Sequence, residues 1–376
     1  MARFAASARR RVRAGRVRPR RAHHRRRRAR SPAHRVWLPP LDDPPPLDTA
    51  ALGAAFDDAP LDDRQLGATA EGLRAVVGVV DRPYQQRREP LEIDLAGAAG
   101  HVAVVGGPRA GKSTALVTLV AALAASRSPA AVGVHAIDLG GGALARLGGL
   151  PHVGTVADRG DPDLVRRTVA EVAALLTRRE RLFRDAGMAS VEEFRIRRAA
   201  GDFPDEPATD VVLVVDGCLA LRTEFEDVET RLLPLAAQGL GYGVHLAVAA
   251  GRWSELRPAL KELLGTRIEL RLGEPGESEI DRRRAATVPA RPGHCLAPDG
   301  AAAVVAAPWT SAHPDTDALV AAVAAAWPGR GCRRCGRCPH GSTSGHCPPR
   351  RPGGCDWGWT RTGWPSSSWT PRPSRT

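Results

Sequence analysis

HVAVVGGPRAGKSTAL, residues 101–116, is the stretch that decides the fold of this 376-residue chain. Its apolar beginning, 101–105, predicts a buried strand, and the Ala- and Leu-rich run at 112–126 predicts a helix. The turn between them, 106–113, matches the pattern G-x-x-x-x-G-K-[ST], in which a glycine-rich loop between a strand and a helix surrounds phosphate groups. This combination of strand, loop and helix predicts a phosphate-binding loop.

The residue types in this loop suit that chemistry. Gly106 and Gly111 let the backbone curl so that its N–H groups face the phosphates, and the start of the helix adds partial positive charge. Lys112 is expected to pair with the β- and γ-phosphates of ATP, and Ser113 to ligate Mg²⁺. Lysine occurs only twice in the chain, against 52 arginines, which makes a chance lysine here improbable. The expected nucleotide-binding residues are Gly106, Gly107, Pro108, Arg109, Ala110, Gly111, Lys112, Ser113 and Thr114.

Apolar runs alternate with helical patterns after this loop. The runs at 131–139, 211–216 and 244–251 predict strands, and a long amphipathic helix is predicted at 163–186. Such alternation is typical of a mainly parallel sheet flanked by helices on both faces. We therefore predict an α/β fold of the P-loop NTPase class, in which the series of strands ends at 267–273.

VVLVVDGCLA, residues 211–220, bears on the chemistry. Asp216 ends a strand and is expected to hold Mg²⁺ together with Ser113. Many nucleotide-hydrolysing proteins have a glutamate directly after this aspartate, where it activates the attacking water, but here the residue is Gly217. The end of the next strand, 249–251, also lacks a polar side chain that would contact the γ-phosphate. We expect ATP to be bound and to be hydrolysed slowly or not at all, so it stays open whether the chain is an enzyme.

The net charge of +13 suggests a nucleic-acid binder, but its distribution argues against one. Residues 1–30 carry +14 and residues 330–376 carry +8, and subtracting both from +13 leaves −9 for residues 31–329. Because the predicted globular part is acidic, nucleic acid is not expected as its partner. The chain contains no run of 18 apolar residues, so no membrane span is predicted.

The composition divides the chain into four parts. Residues 1–34 are arginine-rich and predicted to be disordered, and residues 35–72 form a proline-rich, extended lead-in. The ATPase-type module is predicted at 73–328. Residues 329–376, rich in Cys and Trp, are predicted to be a disordered tail that is translated out of frame, because reading one base earlier turns most of its Trp codons into Leu codons. The alternative is a zinc knuckle, since Cys332, Cys335, Cys338, His340, His346 and Cys347 have suitable spacing.

Several long stretches resemble one protein family. DRPYQQRREPLEIDLAGAAGHVAVVGGPRAGKSTAL (81–116) and the segment from GYGVHLAVAAGRW to GHCLAPDG (241–300) are similar to the ATPase modules of the type VII (ESX) secretion protein EccC, a member of the FtsK/SpoIIIE group. The resemblance covers about residues 34–328 and implies a RecA/FtsK-like fold. It is closest to the second of the three tandem modules of that family, as expected for a truncated gene or for a separately encoded part.

The resemblance also implies a function and partners. EccC proteins form a hexameric motor at the inner face of the cell membrane, which exports small helical WXG100-type proteins. The expected partners are other EccC-type modules, the membrane secretion complex and its substrates, and the expected location is the cytoplasm, attached to the membrane through those partners. Arg252 and Arg267 are candidates for contacting the phosphates of a neighbouring subunit, although solvation or a local ion pair would also explain them.

Two other functions remain open. The first is a DNA-translocating ATPase of the same superfamily, which the acidic charge of the module disfavours and which stimulation of turnover by DNA would reveal. The second is a fragment without function, for which nucleotide should not stabilise the fold.

Overall fold

The predicted strands assemble into one mixed sheet in the computed structural model, which describes residues 40–48 and 73–328. Six strands form its parallel part: β3 (Val102–Val105), β4 (Val132–Asp138), β5 (Val153–Asp158), β6 (Asp210–Asp216), β7 (Val244–Ala250) and β8 (Thr266–Leu270). Their spatial order is β8-β3-β7-β6-β4-β5. The strand that leads into the glycine-rich loop, β3, therefore lies between β8 and β7, and the ends of β3, β7 and β6 meet at one edge of the sheet.

Four more strands extend the sheet beyond β8 with antiparallel pairing. They are β1 (Arg74–Arg82), β2 (Arg87–Asp94), β9 (His294–Leu296) and β10 (Ala302–Val305), in the order β2-β1-β10-β9-β8. The prediction that the series of strands ends at 267–273 is therefore wrong. With three and four residues, β9 and β10 are too short to give a readable period, and the six-residue β5 went unrecognised for a similar reason.

Helices cover both faces of the sheet, as predicted. They are α1 (Lys112–Ser126), α2 (Pro162–Asp185), α3 (Val191–Ala199), α4 (Cys218–Glu224), α5 (Glu226–Gly239), α6 (Pro258–Leu263), α7 (Arg282–Ala285) and α8 (Thr316–Ala326). The long amphipathic helix α2 begins where Asp161 accepts a hydrogen bond from the Leu164 amide and Pro162 occupies the first turn, both of which favour a helix start.

The side chains of β3 show how the sheet divides the core. Val102 and Val104 join one buried cluster with α1, while Ala103 lies in a second cluster with α2 and α5. A parallel strand that is buried on both faces is uniformly apolar, which is the pattern that the sequence displays. The fold is thus the predicted α/β P-loop class.

The described part of the proline-rich lead-in, residues 40–48, lies against the sheet. Pro46 forms an isolated parallel bridge with Ala307, and the Leu47 amide donates to the Trp309 carbonyl at 2.7 Å. The Leu47 side chain is fully buried. The predictions for residues 1–34 and 329–376, including the frameshift and the zinc knuckle, concern residues outside the described ranges. Within those ranges, no helix combines the length and the apolar character that crossing a bilayer requires.

Candidate functional site

The glycine-rich loop wraps the start of α1 at the edge where the parallel strands end. The Gly106 amide donates to the Ala250 carbonyl at 3.1 Å, which attaches the loop to the end of β7. Gly111 precedes α1 with a φ of 107°, a value that favours glycine because a Cβ is strained there. The loop therefore delivers the N-terminus of a 15-residue helix, with its unpaired N–H groups and partial positive charge, to an open surface.

Lys112 lies inside this loop. Its ammonium group donates hydrogen bonds to the carbonyls of Gly106 and Gly107, both at 2.9 Å. Burial lowers the pKa of Lys112, and the negative charges of Asp216 and Glu255 partly offset that shift. Since an ammonium group has three N–H donors, two are held by the loop and one is available to an anion in front of it.

Asp216 is brought next to the loop, as the sequence predicted. Its side chain is 2% exposed, and the Ser113 side chain forms a hydrogen bond with the carboxylate. Burial raises the pKa of Asp216, and the charge of Asp138 raises it further, against the effects of Ser113 and Lys112. Among the described residues, none forms a hydrogen bond with the second carboxylate oxygen, Oδ2, which is buried; an unsatisfied buried oxygen of this kind calls for an explanation.

Gly217 follows with a φ of 94°. A Cβ built at this position would lie 3.0 Å from the backbone carbon of Leu139, because the Leu139 amide pairs with the Asp216 carbonyl at 2.9 Å. The backbone conformation and the neighbouring chain thus both disfavour a side chain here. The local backbone is therefore unfavourable for a glutamate at position 217.

The end of β7 is apolar and has no polar side chain that would contact the γ-phosphate at Ala249, Ala250 or Gly251. Ala249 and Ala250 are buried, and the Gly251 amide donates at 2.7 Å to Oε2 of Glu255. Glu255 carries no sequence signal, because it lies five residues beyond the end of β7 and in no recognisable motif. Its position became evident only from the hydrogen bond that returns its carboxylate to the strand end.

The two candidate arginines have different surroundings. Arg267 donates to the carbonyls of Leu264 and Lys261 at 3.2 and 3.1 Å, and its guanidinium lies 5.4 Å from the centre of the Trp253 ring. Arg252 is exposed two residues after the end of β7. Of the two, Arg252 is the one whose side chain is not already bound within the described part of the chain.

A cleft of about 330 Å³ opens on the other side of the loop. Its lining includes three arginines, Arg109, Arg271 and Arg291, together with Leu272. The Gly293 amide, next to this lining, donates to the Ala110 carbonyl of the loop at 2.9 Å.

Comparison with known proteins agrees with this geometry. The model of the FtsK/SpoIIIE family matches residues 72–311. The ESX secretion system protein EccC of Thermomonospora curvata is 47% identical over 298 residues, which are 77% of this chain and 22% of that protein. The ESX-4 secretion system protein EccC4 of Mycobacterium tuberculosis is 50% identical over 277 residues, 73% of this chain and 21% of that protein. The chain thus spans about a fifth of the length of these relatives.

Among solved structures, the Thermomonospora curvata EccC with ATPases 2 and 3, in complex with a signal sequence peptide, matches with a TM-score of 0.73 and 45% identity. The match covers 81% of this chain and 56% of that one. The phosphate loop, the strand order and these matches lead to one conclusion: the chain belongs to the FtsK/SpoIIIE family of P-loop ATPases.

Proposed function

We propose that the chain is an ATP-binding module of a type VII secretion motor, with slow or absent hydrolysis. The observation that supports this most strongly is the contrast at one edge of the sheet. A complete phosphate loop ends in Lys112 and Ser113, whereas the residue after Asp216 is a glycine whose backbone disfavours a side chain.

The binding roles follow from the donors that are present. Residues Gly106 to Thr114 would surround the phosphates, with backbone N–H groups supplied by the start of α1, and Lys112 would pair with the β- and γ-phosphates. Ser113 and Asp216 offer a hydroxyl and a carboxylate, the hard oxygen ligands that Mg²⁺ prefers. The unpartnered Oδ2 of Asp216 fits that assignment. When bound, the ion would neutralise phosphate charge.

The wider assembly is proposed from the relatives. Their names place them in ESX secretion systems, and one EccC was solved with a signal sequence peptide. We propose that this module works in a hexamer with other EccC-type modules and the membrane secretion complex, at the cytoplasmic face of the membrane. Its exported partners would be WXG100-type proteins, and Arg252 would contact the phosphates of the neighbouring subunit more readily than Arg267.

The test combines calorimetry and phosphate release on the full chain with Mg·ATP. Wild-type protein should bind ATP with turnover near background, and Lys112→Ala should weaken binding by about 100-fold or more, since a charged hydrogen-bonding partner is lost. Lys261→Ala, which alters the only other lysine, should bind as the wild type does.

Two results would contradict the proposal. Fast turnover that depends on Lys112 would show that hydrolysis has not been lost. Turnover that rises when duplex DNA is added would favour a DNA-translocating ATPase instead.

A further inference from the structure

Glu255 is a carboxylate that the proposed function leaves without a role. It belongs to a short turn of 3₁₀ helix, Trp253–Glu255, that follows β7. Its Oε2 accepts the Gly251 amide at 2.7 Å, and Gly251 adjoins Ala250, whose carbonyl accepts the Gly106 amide. Two hydrogen bonds and two residues, Gly251 and Ala250, therefore link this carboxylate to the first glycine of the phosphate loop.

The backbone of Glu255 is also tied to the helix that begins after Gly217. The guanidinium of Arg222, in α4, donates to the carbonyls of Ser254 and Glu255, both at 3.3 Å. The negative charge of the Glu255 carboxylate acts on both sides of the site. It raises the pKa of Lys112 against the effect of burial, and it adds to the burial that raises the pKa of Cys218, the residue after Gly217.

Three other carboxylates near this edge already form hydrogen bonds or ion pairs. Asp138 accepts hydrogen bonds from four amides of its own loop, those of Gly140, Gly141, Gly142 and Leu144. Glu224 pairs with Arg159 at 2.8 Å, and Glu229 pairs with Arg257 at 2.6 Å. Within the described ranges, Oε1 of Glu255 receives no hydrogen bond, so this oxygen remains able to accept one from water.

We propose that Glu255 replaces the carboxylate that Gly217 cannot supply, and that it acts as the general base for whatever ATP hydrolysis this site performs. In that step the water oxygen bonds to the γ-phosphorus while one water proton passes to Glu255. The bond from the γ-phosphorus to the bridging oxygen breaks, and ADP leaves with the electron pair. The proton then returns to solvent as phosphate departs. The inference rests on the proposed ATP site.

The position of Glu255 also predicts a slow rate. The carboxylate reaches the site from the β7 side, held by the Gly251 amide, instead of projecting from the end of β6. A base that is tethered through one of its two oxygens has less freedom to align with the attacking water, and general-base catalysis depends on that alignment.

The test is single-turnover hydrolysis of γ-labelled ATP by an excess of full-length protein. Glu255→Gln keeps an oxygen acceptor for the Gly251 amide but cannot take a proton. Its rate should fall from the slow wild-type value to the background set by Lys112→Ala, while ATP affinity measured by calorimetry stays equal or increases. Glu262→Gln, the same change on the exposed surface of α6, should keep the wild-type rate.

The split between rate and affinity separates a base from a mere brace. Loss of a brace should weaken ATP binding together with the rate, whereas loss of the base should lower the rate and leave ATP affinity unchanged. A Glu255→Gln rate equal to that of the wild type, or a wild-type rate no higher than that of Lys112→Ala, would overturn the inference. If ATP does not bind to the wild type at all, the proposed function itself fails, and calorimetry identifies that case.

Discussion

Strand β6 starts and ends with a buried aspartate, and the protein surrounds the two carboxylates in opposite ways. Asp210, at the start, is 4% exposed and Asp216, at the end, is 2% exposed. Asp210 accepts hydrogen bonds from Arg195 at 2.7 and 3.1 Å and from His245 at 2.9 Å. Asp216 has Ser113 beside it, and one of its oxygens has no partner among the residues that the structure describes.

Their pKa values follow this difference. Burial alone would raise the pKa of Asp210, but the hydrogen bonds from His245 and Arg195 outweigh it and lower the pKa to about 2. For Asp216, burial prevails and the pKa is raised. The two carboxylates are similarly buried on one strand, but ionised Asp210 stabilises the fold and ionised Asp216 destabilises it. Perturbed carboxylates of the second kind are typical of functional sites.

The largest expected effect comes from removing the satisfied carboxylate. Asp210→Ala leaves Arg195 and the buried His245 without their partner, so the free energy of unfolding at pH 7 should fall by about 3–5 kcal/mol. Urea unfolding measures this change. Asp205→Ala, at an exposed position nearby, should stay within about 0.5 kcal/mol of the wild type. A loss at Asp210 as small as that control would mean that the two ends of β6 do not differ.

The second prediction concerns the residue after Asp216. Gly217→Glu introduces the residue that many nucleotide-hydrolysing proteins have after this aspartate, but at a φ of 94° and against Leu139. It should lower the free energy of unfolding by about 1–3 kcal/mol without increasing ATP turnover. Leu219→Glu puts the same side chain two residues later at a half-exposed helical position and serves as the control.

Turnover that rises in Gly217→Glu with little loss of stability would show that the backbone at this position adapts. The site at the end of β6 would then be inactive only because position 217 lacks a carboxylate. In that case the role proposed for Glu255 would be unnecessary.

The phosphate loop and its helix could be predicted because their information is local. Eight residues carry the loop pattern, and the predicted bounds of α1 agree with the structure at both ends. Gly217 was recognised as a missing carboxylate, but its positive φ depends on the pairing of Leu139 with Asp216 across two strands. Such a pairing cannot be seen in either segment alone.

Glu255 and the lead-in show the same limit at longer range. The hydrogen bond to Gly251 depends on a turn that no pattern marks. The ring nitrogen Nε2 of His294 pairs at 2.8 Å with the Asp42 carbonyl, 252 residues earlier in the chain. Contacts of this kind arise from the way the strands are ordered, and the short β9 and β10 that create them give no sequence signal.

The smallest expected effect on folding is at the unsatisfied carboxylate, and it tests the comparison most directly. A raised pKa in the folded state means that ionised Asp216 destabilises the fold above the ordinary pKa of about 3.9, and the penalty is present at pH 7. Asp216→Asn removes the charge, so the free energy of unfolding without nucleotide should stay within about 1 kcal/mol of the wild type or increase.

The same substitution at the other end of β6 is the matched control. Asp210→Asn should cost several times more than Asp216→Asn, because it removes the charge that holds Arg195 and His245. Mg·ATP should stabilise the wild type and Asp210→Asn, but stabilise Asp216→Asn much less, since the proposed ion ligand is gone. Two results together would show that Asp216 is a structural residue and does not bind the metal ion. Asp216→Asn would lose as much stability as Asp210→Asn, and Mg·ATP would still stabilise Asp216→Asn fully.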